Sequence, residues 1–284
     1  MRLGLIAGNG QFPFLVLEAA KRLGHEVIVI GIREETDSAL AEVAAEHRLY
    51  SFHWVSLGQL GKCIDILTKA GASRALMAGQ VKHTKLFTGV VPDRVMLATL
   101  ARVVTKNTDA LMSAVAETFE KHGIELVDST SFLGPLLAKQ GLLTSREPSE
   151  DERSDLQFGY EMADAVARLD IGQTIVVKDR AVVAIEAMEG TDAVIARAGQ
   201  LAGAGVRVIK VAKPKQDMRF DVPVVGIPTI RAMQKAAANV LSVDAGVTLV
   251  LDGEGVIEEA EKAGIVVVGR ARKQEGTTSI ADNV

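Results

Sequence analysis

Apolar residues come in short runs through the first half of the chain, at 3–7, 26–31, 49–54 and 74–79, with amphipathic stretches between them at 14–23 and 59–70. Short apolar runs alternating with helical periodicity predict a parallel sheet covered by helices. A stronger helical period follows in DALMSAVAETFEKHG, where Leu111, Val115 and Phe119 recur every four residues and Gly123 supplies a C-terminal stop. The run IELVD predicts one more strand. The stretch TSREPSEDERSD, with Pro148 ahead of its acids, then predicts a connection running into a helix over about 151–169. Beyond it, TIVVKDRAVVAIEA predicts two strands around a turn at 178–180, and VRVIKVA, VPVVGI, VTLVLD and GIVVVG predict further strands.

The expected fold is therefore α/β, a Rossmann-like parallel-sheet domain at residues 1–131 and a mixed α/β domain at 151–284, with 132–150 as linker and a frayed tail after about 272. A length of 284 residues agrees with two cores rather than one. The composition is that of an ordinary globular protein, 48% hydrophobic and 24% charged. A net charge of −4 and only 4% aromatic residues set nucleic-acid binding aside. The single cysteine, Cys63, excludes an internal disulfide and a cysteine-based zinc cluster, as suits a cytoplasmic protein. No run reaches the ~20 apolar residues of a membrane span.

Four stretches carry candidate chemistry. In LIAGNGQFP a glycine pair follows the first strand, so the backbone amides of Gly8, Asn9, Gly10 and Gln11 can approach a phosphate at a helix start. Pro13 stands where a dinucleotide fingerprint has its third glycine, and a tight strand-to-helix turn explains the stretch equally well. In AGQVKHTKLF the cations Lys82 and Lys85 and the side chain of His83 follow a strand end, where an anionic ligand or plain solvent can meet them. In AIEAMEGTDAVI, Glu186, Glu189 and Asp192 surround a turn into a helix that Thr191 is placed to cap. These acids suit Mg²⁺ or a positioned water, while dipole decoration alone accounts for Asp192 better than for Glu186.

The fourth stretch, KPKQDMRFDVP, sets Lys213, Lys215 and Arg219 among Asp217 and Asp221 between two prolines. Hydrolysis of a diphosphate needs cations on its oxygens, a carboxylate for metal or water, and little else; neutral Gln216 can donate to a phosphate or base edge. A stiff solvated loop is the alternative.

IAGNGQFP, LDIGQTIVV with AIEAMEGTDAVI after it, and KPKQDMRFDVPVVGIPTI together resemble the UDP-2,3-diacylglucosamine pyrophosphatases of lipid A biosynthesis, of the type unrelated to calcineurin-like phosphoesterases. The resemblance spans nearly the whole chain. It implies a cytoplasmic, Mg²⁺-dependent enzyme of two domains with a cleft between them, cleaving its substrate to UMP and 2,3-diacylglucosamine 1-phosphate by attack of water on the uridine-side phosphorus. Asp221 matches the family's essential aspartate. Asp192 and Glu189 join it as catalytic candidates, Asp217 and Asp221 as metal candidates. The expected substrate contacts are Gly8, Asn9, Gly10, Gln11, Lys82, Gln173, Thr191, Lys213, Gln216 and Arg219. The lipid substrate implies a peripheral place at the cytoplasmic face of the inner membrane, with residues 82–104 as lipid entry, and a homodimer is expected. A UDP-sugar sensor without hydrolase chemistry is the rival function.

Overall fold

The computed structural model describes residues 1–81, 91–103 and 108–272. They form two compact units: Met1–Gly134 together with Asp217–Val222, and Pro135–Gln216 together with Pro223 onward. The chain thus leaves the second unit for six residues and returns to it.

In the first unit β1 (Arg2–Ala7), β2 (Glu26–Ile32), β3 (Tyr50–Val55), β4 (Arg74–Ala78) and β5 (Glu125–Leu126) form a parallel sheet in the order β3-β2-β1-β4-β5. β2 is buried almost throughout, as a central strand covered on both faces must be, whereas β3 alternates between half-buried and exposed positions because it is an edge. Helices Phe12–Arg22, Ala39–Ala45, Leu60–Lys69, Arg94–Leu100 and Thr108–Lys121 belong to this unit. Ile28, Ile30 and Ile32 of β2 pack with Leu60, Ile64 and Leu67 of one helix and Leu111, Val115 and Phe119 of another. Cys63 lies inside this core; burial, with Asp93 adding to it, pushes its thiol up to about 12, which makes it an inert packing group.

The second unit holds β6 (Gly141–Leu142), β7 (Thr174–Lys178), β8 (Ala181–Ile185), β9 (Arg207–Lys210), β10 (Val224–Val225), β11 (Val240–Asp244), β12 (Leu249–Val250) and β13 (Val266–Arg270). Six of them form a mixed sheet, β6-β13-β11-β9-β7-β8, in which β13, β11 and β9 are parallel and β6, β7 and β8 run against their neighbours. Both faces are covered. Val176, Val208, Leu241 and Val267 meet helices Thr191–Ala202, Ile227–Lys235 and Glu254–Lys262 on one side. Ile175, Val177, Ile209, Val240 and Val266 meet the helix Glu150–Arg168 on the other. That helix starts at a capping box, in which Ser149 and Glu152 each satisfy the other's backbone amide.

Three expected strands are shorter than their apolar runs. IELVD contributes only β5, while VPVVGI and VTLVLD contribute β10 and β12, which pair with each other in a separate two-stranded sheet. Several elements had no expectation: the helices Ala39–Ala45, Arg94–Leu100, Ile227–Lys235 and Glu254–Lys262, and the strands β6 and β11. The tail after 272 and residues 82–90, including Lys82, His83, Lys85, Leu86, Phe87 and Val90, lie outside the described residues.

Candidate active site

The order β3-β2-β1-β4-β5 reverses direction between β1 and β4, and in open sheets ligands bind outside the carboxyl ends of strands at such a reversal. There the turns after β1 and β4 abut. Gly8 donates its N–H to Ala78 O at 2.8 Å, and Asn9 and Gln80 exchange two backbone bonds at 2.8 and 2.9 Å. A Cβ on Gly8 would sit 2.7 Å from the Gln80 carbonyl oxygen, so this glycine is required by the close approach of two backbones. Gly10, at φ +92°, serves the turn itself, and a Cβ there would meet only open space. Gln11 caps the helix by position but without a side-chain bond, and Pro13 lies in its first turn. Asn9, Gly10 and Gln11 are exposed at this edge.

The segment Asp217–Val222 belongs to the same unit. Phe220 packs against its core, Ser129, just past the carboxyl end of β5, donates Oγ–H to Arg219 O at 2.7 Å, and Ser129 N–H bonds Met218 O at 2.9 Å. The segment is a tight turn, with the amides of Phe220 and Asp221 both directed at Asp217 O, at 3.2 and 2.9 Å. Asp217 takes Arg219 Nε at 3.0 Å and Nη2 at 2.8 Å, and Arg219 reaches Glu120 at 3.7 Å. The guanidinium beside it holds the Asp217 carboxyl below the usual range, against the pull of partial burial, and Asp217 raises Arg219 in return. Arg219 thus engages both oxygens of Asp217. Asp221, two residues after Arg219, is half-buried in the same turn.

The acids of AIEAMEGTD part company. Buried Glu186 accepts Thr191 Oγ1–H at 2.9 Å and the Gln173 N–H at 3.4 Å. Glu189 is exposed and bonded to Arg197 Nη2 at 2.6 Å; its own backbone amide first, and Arg197 next, hold its carboxyl below the usual range. Asp192 is exposed in the first turn of the Thr191–Ala202 helix. Among the described residues no three such side chains gather in a metal-binding group. Thr191 is not the cap expected of it. Gly190 takes that position at φ +85°, and Thr191, first in the helix, is spent on Glu186 and on Lys210 Nζ, which donates to it at 2.7 Å. Lys213 pairs with Asp170 at 2.7 Å, and its N–H goes to Gln216 Oε1, also at 2.7 Å.

Residues 2–136 match the LpxI N-terminal domain and residues 139–268 the LpxI C-terminal domain, so the two matches together cover most of the chain. The chain belongs to the LpxI family of UDP-2,3-diacylglucosamine pyrophosphatases. It is 32% identical over 280 residues to the UDP-2,3-diacylglucosamine pyrophosphatase LpxI of Caulobacter vibrioides, an alignment covering 94% of this chain and 97% of that protein. The family assignment retires the sensor as a rival and makes this LpxI member an enzyme of lipid A biosynthesis. Residues such as Lys210 and Asp244, the last residues of β9 and β11, had drawn no attention in the sequence. A charged residue closing an apolar strand that ends at the carboxyl edge was the available clue.

Proposed function

We propose that this chain hydrolyses the diphosphate of UDP-2,3-diacylglucosamine to UMP and 2,3-diacylglucosamine 1-phosphate, with Asp221 as the working carboxylate. The observation that supports this reading is the turn Asp217–Val222, which carries both Arg219 and Asp221 and is anchored by Ser129 just past the carboxyl end of β5, in the sheet whose first turn carries Gly8–Gln11. Positioning and charge stabilisation supply most of the catalysis in such reactions. Asp221 orients the attacking water and takes up its proton. Arg219 and Lys213 offer charge to the diphosphate, and the amides of Gly8–Gln11 meet phosphate or nucleotide, with Gln173, Thr191, Gln216 and Lys82 as further contacts. Asp221 would hold Mg²⁺ together with the substrate, and the ion would supply neutralisation of the diphosphate charge; one carboxylate with substrate phosphates is a donor set that Mg²⁺ accepts.

The bond that breaks joins the uridine-side phosphorus to the bridging oxygen, and the bridging oxygen departs with the sugar phosphate. Turnover in ¹⁸O-water is expected to place the label in UMP. Recovery of the label in the lipid 1-phosphate, read by mass spectrometry, would overturn the direction of attack.

Two acyl chains, at roughly 0.8 kcal/mol for each buried CH₂, keep the substrate in a bilayer. No helix among the described residues is long and apolar enough to cross one. Our reading places the enzyme peripherally on the cytoplasmic face, and exposed Val91 and Leu97 flanking Arg94 support the stretch 82–104 as the contact. Leu97→Asp is expected to weaken sedimentation with anionic vesicles and leave UMP binding unchanged. Undiminished sedimentation would remove this stretch from the contact.

A further inference from the structure

The exit of β9 is tied down more heavily than a loop start requires. Asp244, wholly buried at the carboxyl end of β11, accepts the Ala212 N–H on Oδ2 at 2.9 Å, and Val211 N–H bonds Gln173 O at 2.9 Å. The other oxygen of Asp244 takes Arg270 Nε at 2.7 Å. Arg270 in turn forks onto both oxygens of Asp164, at 3.0 and 2.8 Å, and lies 4.8 Å over the Tyr160 ring, whose hydroxyl meets Ser242 at 2.9 Å. Burial works against the Arg270 charge, and the bonds from Asp164 and Asp244 outweigh it, so the guanidinium stays charged. Just past the end of β13, Arg272 Nη2 donates to Lys213 O at 3.2 Å while its Nε stands 3.9 Å from Asp244.

A fully buried carboxylate costs stability unless it is paired, and a well-packed apolar residue would often serve the core as well or better. What the carboxylate does here, and an apolar side chain cannot, is hold a backbone amide and two arginines at the point where the chain leaves the sheet. We infer that Asp244 is a positioning residue: through Ala212 N–H and through Arg272 it fixes the start of the loop, and so sets where Lys213 and Gln216 stand to receive substrate. This rests on the substrate contacts proposed above for Lys213 and Gln216. Asp244 itself touches no substrate. Residues placed by it bind the ground state and the transition state alike, so its loss falls on KM rather than kcat.

The test uses the full-length enzyme and UDP-2,3-diacylglucosamine. In Asp244→Asn, KM is expected to rise about 10- to 100-fold with kcat within about threefold. Amide exchange should speed up over Ala212–Gln216 and remain slow in β9, β11 and β13. Arg272→Gln, at a partly exposed site that does not threaten folding, is expected to raise KM about three- to tenfold in the same direction. Native KM in Arg272→Gln overturns the inference, whether Asp244→Asn is unaffected or has lost protection throughout the sheet, since the latter is what a merely structural carboxylate would do. Asp221→Ala separates this inference from the reading beneath it: normal turnover there removes the catalytic assignment, while a KM rise in Arg272→Gln still reports positioned substrate contacts.

Discussion

Asp221→Ala is expected to lower kcat by about 10²- to 10⁴-fold, the usual range for removing a positioned acid or base, with KM within about threefold. The turn that carries the residue should survive. Its bonds are made by backbone groups, Phe220 and Asp221 N–H to Asp217 O, by Ser129 to Arg219 O, and by the Asp217–Arg219 pair, none of which uses the Asp221 side chain. A thermal midpoint more than about 4 °C below the parent would assign the loss to folding rather than to chemistry. Near-normal turnover at saturating Mg²⁺ would remove this turn from the chemistry. Asp221→Asn separates two roles of the carboxylate: an amide still accepts a hydrogen bond from water but neither takes its proton nor adds charge for a metal, so a loss equal to that of alanine is expected.

The same loop shows what was legible in the sequence and what was not. Its charges and its two prolines drew attention to it as a loop of candidate chemistry, with a stiff solvated loop as the alternative. Its place in the fold was hidden, because docking of Asp217–Val222 into the first unit is a contact between residues about ninety apart, Ser129 and Arg219, and no periodicity records such a contact. Phe220 was the overlooked clue, since a large apolar side chain amid charges needs a core to enter, and here it enters one.

The strands of the first sheet were legible because short apolar runs alternate with amphipathic stretches and both faces of β1 and β2 are buried. The helix Ala39–Ala45 was not, being two turns of alanine-rich chain with only Leu40 and Ala44 buried. β11 was missed because VLSVD carries a serine and an aspartate. Both are buried, and each is satisfied by a partner from elsewhere in the chain, Tyr160 for Ser242 and Arg270 for Asp244. The acids of AIEAMEGTD looked like one cluster because sequence spacing says nothing of direction. The backbone sends Glu186 inward to Thr191 and leaves Glu189 outside with Arg197.

The largest expected effect on stability lies away from the chemistry, in the hairpin between β7 and β8. Its turn residues, Asp179 and Arg180, both stand in the left-handed region, at φ 51° and 56°, a turn for which Asn-Gly is the usual choice. With no glycine to relieve the strain, the turn is held from outside. Asp155 of the helix Glu150–Arg168 accepts both amides, from Asp179 at 3.1 Å and from Arg180 at 2.7 Å, and pairs with Arg207 Nε at 3.1 Å. Asp155 and Arg207 are both buried, so Asp155→Ala leaves a buried guanidinium without its carboxylate and takes the acceptor from both turn amides. A loss of about 3–5 kcal/mol is expected from breaking such a pair on one side, measured by urea unfolding at neutral pH. Arg207→Met in the same background removes the stranded charge and should recover part of that loss, so the double variant is expected to be more stable than Asp155→Ala alone. A cost under about 1 kcal/mol for Asp155→Ala, or no recovery in the double variant, would show that the pair is not what holds the hairpin to the helix.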